Sequence, residues 1–288
     1  FYMTSDDENE NSDDVIGTHF TFPNYPFRAS GHWVRTGDNF NPALGFVRRR
    51  GGESTGLDFT YYFEQPENEL LEDISVGAEY DRYEWLDGDL DSDELEINLI
   101  GIRTLAGDFL GLEVEFERDI LQEPFEIVDE VIIPTSEYKG IDFELELRSS
   151  SNRPVFGEFE IAYGHFYGGK ATNAEIDLAW RPSKYFQLDF EIASTMARLP
   201  QDNFEVLTSS TGCRITPTTQ LSFNGIAQYD NQSKTIGLNT RFRYIIKPGS
   251  DLFLVFNKGF DRGDDGELRN FRTFKTEAIA KLGWIFQF

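Results

Sequence analysis

The sequence predicts an all-β chain, a transmembrane antiparallel up-and-down β-barrel of about 14–16 strands. Three observations predict it. Apolar and polar residues alternate with period two through most of the 288 residues, tight turns alternate with larger loops, and aromatic residues gather near strand ends.

Alternation is the primary signal, because a strand turns successive side chains to opposite faces. Leu112, Val114 and Phe116 share one face, and Glu113, Glu115 and Glu117 the other. Ile141, Phe143, Leu145 and Leu147 oppose Asp142, Glu144, Glu146 and Arg148. Phe159, Ile161 and Tyr163 oppose Glu158, Glu160 and Ala162. Ile176, Leu178 and Trp180 oppose Glu175, Asp177 and Ala179, and Phe186, Leu188, Phe190 and Ile192 oppose Gln187, Asp189 and Glu191. Similar stretches begin near Leu57, Ile74, Leu95, Leu221, Ile236 and Ala278. A helix would spread Glu-x-Glu-x-Glu around its circumference, so these windows are strands.

Tight turns are expected at 65–69, 105–108, 149–154, 181–184, 216–219 and 247–250, which are rich in Pro, Gly, Asn and Ser. Larger or more polar loops are expected at 37–52, 87–93, 121–137, 200–203 and 259–274. Strict alternation of the two kinds is the habit of a membrane barrel. About 14 strands follow from Phe27 onward, with a further candidate at 15–22 turning at 23–26. Residues 1–14 read as an acidic loop or tail, interior to a longer chain, and 15–288 as the barrel. A soluble β-sandwich with solvated Glu-rich faces is the competing fold. Strands of about 10 residues or more favour the barrel. So do Tyr80, Tyr163, Trp180, Tyr185, Tyr229, Tyr244 and Trp284, placed as an interfacial girdle requires.

A formal net charge of −25 excludes nucleic acid as a natural partner, since phosphates would be repelled. With one cysteine, Cys213, neither an intramolecular disulfide nor a thiolate zinc site is possible. No apolar run reaches the length of a transmembrane helix, and a barrel needs none. No export signal is visible at the first residues.

The closing segment from Ala278 resembles the terminal strand of bacterial outer-membrane proteins, with Ala280, Leu282, Trp284, Phe286 and Phe288 alternating to an aromatic end. That resemblance implies recognition by the barrel-assembly machinery through Trp284, Phe286 and Phe288. Residues 37–51 (GDNFNPALGFVRRRG) and 251–260 (DLFLVFNKGF) are similar to segments of a bacterial family. Its members carry a family 9-like carbohydrate-binding domain followed by a C-terminal outer-membrane barrel. The likeness covers most of this chain, in the barrel part only. It implies placement in the outer membrane of a Gram-negative bacterium, among lipid and lipopolysaccharide.

If apolar faces look toward lipid, the twelve carboxylates paired above line an interior wall, with Arg241, Arg243 and Lys281 on the inward face of later strands. Rings of Asp and Glu favour cations, so a pore or uptake channel with a cation-favouring lumen is the first expectation. An occluded barrel is the second, serving as anchor or scaffold for a protein partner or for a carbohydrate-binding domain. A surface enzyme is the third. Arg48, Arg49 and Arg50 either reach the acidic wall through an inward loop or bind lipopolysaccharide phosphates at the rim. Asp87, Asp89 and Asp91, with Asp261, Asp264 and Asp265, are weak calcium candidates; solvated loop charge is the simpler reading. No other cofactor is implied. His19, His32 and His165 are the available imidazoles, and none stands in a nucleophile or triad motif.

Overall fold

The computed structural model describes residues 1–6, 12–42, 46–47, 49–65, 67–262 and 271–285. Among them there is no helix. The strands are β1 (Tyr2–Asp6), β2 (Ser12–Phe22), β3 (Phe27–Thr36), β4 (Gly52–Glu64), β5 (Leu71–Trp85) and β6 (Leu90–Thr104). There follow β7 (Phe109–Ile120), β8 (Phe125–Val128), β9 (Val131–Ile133), β10 (Glu137–Arg148), β11 (Val155–Phe166) and β12 (Gly169–Ser183). The last are β13 (Phe186–Arg198), β14 (Asn203–Ile215), β15 (Leu221–Asp230), β16 (Thr235–Lys247), β17 (Ser250–Arg262) and β18 (Phe271–Gly283). Sixteen form one antiparallel up-and-down sheet in chain order, from which only the β8–β9 hairpin stands apart. The 14 strands read from Phe27 onward are β3–β7 and β10–β18.

Three sequence expectations are corrected. Residues 2–6 and 12–14, read as acidic loop or tail, are strand: Met3 pairs with Val15 and Thr4 with Asp14. Their acids are accommodated locally, since Asp13 accepts the N–H groups of Asp14 at 2.8 Å and Asn39 at 2.9 Å. The alternation of tight turns and larger loops is not strict, because β11 and β12 are joined by Tyr167 and Gly168 alone. Both have positive φ (42° and 81°), the geometry of a two-residue hairpin turn that follows strand twist. The segment 121–137 is not plain loop either: it contains β8 and β9, whose alternation over so few residues is too short to register.

The chain divides into two compact units. The first comprises Phe1–Glu146, Ala162–Ala171 and Ala197–Asn203; the second comprises Leu147–Ile161, Thr172–Met196 and Phe204–Phe288. In strands of the first unit, burial runs opposite to that of a soluble sheet. In β10, in the first unit, Phe143 is 56% exposed while its neighbours Asp142 and Glu144 are half-buried. Leu57 in β4 is 52% exposed beside a half-buried Asp58. In the second unit Leu178 in β12 and Leu254 in β17 are exposed, but so are Glu175, Glu191 and Arg241, and the contrast between the faces is weaker. Val114, 8% exposed between Leu112 and Phe116, departs from this; it is the smallest apolar side chain of its row.

Among the described residues the buried apolar side chains are few and lie mostly at strand ends and connections: Phe40, Val131, Ile133 and Leu199 are examples. The β8–β9 hairpin buries Val131 and Ile133 and exposes Ile132 between them. Beside it, Phe125 and Tyr138 set their rings edge-on to Tyr167 at 5.4 and 5.3 Å. Burial, and after it the negative charge of Asp119 and Glu117, raises the Tyr167 phenol above its ordinary range.

Candidate functional site

The register of β4–β7, within the first unit, turns separate Glu-rich strands into rows of carboxylates. Asp58 lies opposite Glu79, Glu79 opposite Glu96, and Glu96 opposite Glu115. One step along, Asp81 faces Glu94 and Glu94 faces Glu117. Directly opposed side chains have Cβ atoms roughly 4.5–5.5 Å apart, and like charges so placed destabilise the pairing. No lysine or arginine occupies either row. Glu113 ends a third row, where Asn98 donates to it at 3.0 Å. Gly56 stands opposite both His32 and Asp81, and a Cβ there would strike both side chains.

Glu113, Glu115 and Glu117 are among the acids singled out from sequence; Asp58, Glu79, Asp81, Glu94 and Glu96 are not. Their strands were recognised from the alternation near Leu57, Ile74 and Leu95. Register, which brings their acids beside those of β7, is a tertiary property.

The remaining predicted wall residues are less uniform. Asp142 accepts the backbone N–H of His165 at 2.5 Å. Glu144 and Glu146 continue its face of β10. In the second unit Arg148 donates to Glu158 at 3.2 Å, and Gln187 donates to Asp189 at 2.6 Å. Glu175, Asp177 and Glu191 bring carboxylate oxygens within 4.8 Å of one another, and Glu158, Glu160, Glu175 and Asp177 line a small cavity of about 220 Å³.

The described residues 37–42 and 49–51 pack onto the polar face of the first unit. Phe40 is 3% exposed, Asn41 N–H donates to Ser5 Oγ at 2.7 Å, and Leu86 N–H donates to Gly51 O at 2.9 Å. Arg49 lays its guanidinium over the Tyr83 ring, 4.9 Å from the centroid, and pairs with Asp91 at 2.9 Å. It also donates to Ser92 Oγ at 3.3 Å. Asp91 belongs to the acidic stretch 87–93 and is not one of the twelve wall carboxylates, so this pair does not decide between the two readings of the basic run. Arg50 turns back to Asn41 Oδ1 at 2.9 Å, within its own segment, and Arg48 lies outside the described residues.

Between this segment and the sheet lies a cavity of about 620 Å³, within the range of small-molecule sites. Met3, Val15, Val34, Phe40 and Val47 line one part of it. Asp81, Asp93, Glu94, Glu117 and Asp119 line another, with Tyr83, Arg49 and Arg82 also at its wall; Arg82 is paired with Glu84. Val34 and Asp119 end a single cross-strand row that runs through Ser54, Tyr83 and Ser92. The cavity therefore passes from apolar to acidic across one face.

The polar face of β15–β18, in the second unit, differs. Arg243 donates to Asp251 from Nε and Nη2 at 3.1 and 2.8 Å, and Arg241 and Arg243 both stack on Phe253. Lys281 is opposite Phe253, and Glu277 accepts from Asn257 at 3.1 Å.

The other sequence candidates do not converge. Asp87 accepts the N–H of Asp89 within a tight turn, and Asp91 is held by Arg49. Asp261 sits in β17 opposite Thr235, while Asp264 and Asp265 lie outside the described residues. His19 bonds Thr21 Oγ1 at 2.7 Å, His32 bonds Ser54 Oγ at 3.3 Å, and His165 Nε2 accepts from Gly168 N–H at 3.1 Å. Trp284 is half-exposed beside Lys247, whose ammonium is 4.6 Å from the ring; Phe286 and Phe288 lie outside the described residues. No family model matches the chain, and no curated protein does.

Proposed function

We propose that the sixteen-stranded sheet closes into a barrel in a bacterial outer membrane and conducts or takes up cations along its acidic face. The observation that carries this reading is the inverted burial: large apolar side chains are exposed while neighbouring carboxylates are half-buried. An apolar face of this extent requires a cover, and roughly 1 kcal/mol accrues to each partly exposed Leu or Phe that acyl chains take in. From β2 on, the strands of the sheet hold 10 to 15 residues, enough to cross a hydrocarbon core when tilted. Resemblance of 37–51, 251–260 and the closing segment to the outer-membrane family supports the location, and with it contact with lipopolysaccharide and the assembly machinery.

The acidic rows supply selectivity, because unneutralised carboxylates along a water-filled path lower the energy of a passing cation. Purified protein should migrate on gels in a heat-modifiable way and form stable, cation-selective steps in planar bilayers. Anion-selective steps would refute the assignment. A second reading has its own support: the packing of 37–42 and 49–51 on the polar face favours an occluded barrel that anchors a partner. Well-folded protein giving no steps would establish that alternative.

A further inference from the structure

We infer that the 620 Å³ cavity under residues 37–51 binds an amphipathic organic cation, a protonated amine or guanidine joined to a compact apolar group. The inference deepens the cation-favouring reading of this face and rests on it for biological meaning. Binding itself requires only the folded chain.

Two parts of the wall select different ends of such a molecule. Val15, Val34 and Phe40 offer an apolar surface with no partner charge, where a hydrated inorganic ion gains nothing. Asp81, Glu94 and Glu117 stand in one cross-strand row and repel one another, so a bound ammonium or guanidinium removes an existing electrostatic cost as well as adding its own attraction. A neutral apolar ligand would satisfy only the first part and a small cation only the second. The volume suits a ligand of roughly ten to twenty heavy atoms.

The chain itself already shows how this wall receives a cation. Arg49, tethered to 37–51, is held by the Asp91 carboxylate, the Ser92 hydroxyl and the Tyr83 ring face. Carboxylate, hydroxyl and aromatic face together are the usual partners of an organic cation. Tyr83 and Ser92 occupy the cross-strand row next to the Asp81–Glu94–Glu117 row. A cationic ligand in that neighbouring row would meet the same kind of surface without displacing Arg49.

Isothermal titration of the detergent-folded full chain with 4-phenylbutylammonium tests this, with 4-phenylbutanol, 4-phenylbutyrate and methylammonium as matched probes. Saturable binding of 4-phenylbutylammonium is expected, at least about tenfold tighter than each of the three, weakening as salt rises. The double variant Glu94→Gln/Glu117→Gln should weaken it about tenfold or more. In the same micelles this variant also controls for partition into detergent. It relieves repulsion and is expected to fold, which heat-modifiable migration checks; Asp81→Asn serves if it does not. Equal binding of the butyrate, or affinity unchanged in the variants, or no saturation at millimolar ligand, overturns the inference. Bilayer recordings keep the two readings apart. Binding without conductance retains the site and refutes the pore, whereas cation-selective conductance without preferential binding does the reverse.

Discussion

The polar faces of β4–β7 and β15–β18 arise from the same alternation, yet they carry opposite electrostatic logic. In the first, register sets Asp58, Glu79, Glu96 and Glu115 in a row with no basic residue among them. In the second, basic and acidic residues are mixed, and Arg243 closes on Asp251 while Phe253 supports both guanidinium groups. The first region accepts a repulsive cost, as functional surfaces do; the second is neutralised within itself. Face alternation therefore says where polar groups go, and only pairing says whether they are satisfied.

The largest expected effect tests what the two regions share. Leu57→Arg in β4 and Leu254→Arg in β17 should each cost about 2–4 kcal/mol if both apolar faces contact lipid near its midplane. Reversible urea unfolding in phospholipid vesicles measures it. A large cost in one region alone would break the symmetry of the outward face, and negligible cost in both would remove the membrane.

Next in size is selectivity, where the regions should part. Replacing Glu79, Glu94, Glu96, Glu115 and Glu117 by Gln should lower the cation-to-anion permeability ratio about tenfold, from reversal potentials in a KCl gradient. Replacing Arg241, Arg243 and Lys281 by Gln should raise it by no more than about twofold. Reversed magnitudes would move the selective surface to β15–β18.

The smallest effects are on stability. Arg243→Gln removes a half-exposed ion pair and should cost about 0.5–1 kcal/mol. Glu94→Gln should be neutral or stabilising by a few tenths of a kcal/mol, since it relieves two opposed like charges. Urea midpoints of the two variants give the comparison directly, and a destabilised Glu94→Gln would mean that its carboxylate has a partner.

Much of the fold was legible in sequence because its signal is local. Glu113-Val-Glu-Phe-Glu117 can be only a strand with two unlike faces, and the strand order follows chain order. The losses were equally local. Tyr167-Gly168 is a turn made by two positive φ angles inside an otherwise continuous pattern. The strand Tyr2–Asp6 hides in acidic, polar composition and is held by pairing with β2. Arg49 was legible as a cation in search of an acid, but not which acid: Asp91 is 42 residues away in the chain.

By itself the sequence determined the all-β class, the two-faced strands and the acidic character of the polar face. Those follow from residue identity at period two and from net charge. The tertiary structure alone decided that Asp58, Glu79, Asp81, Glu94 and Glu96 join the carboxylates of β7, and that Phe40 and Arg49 line an amphipathic cavity with Asp81 and Glu94. The physical reason is that register and loop docking depend on the sum of many distant, individually small pairings. A one-residue shift in the register of one strand would carry that strand's carboxylates to the other face.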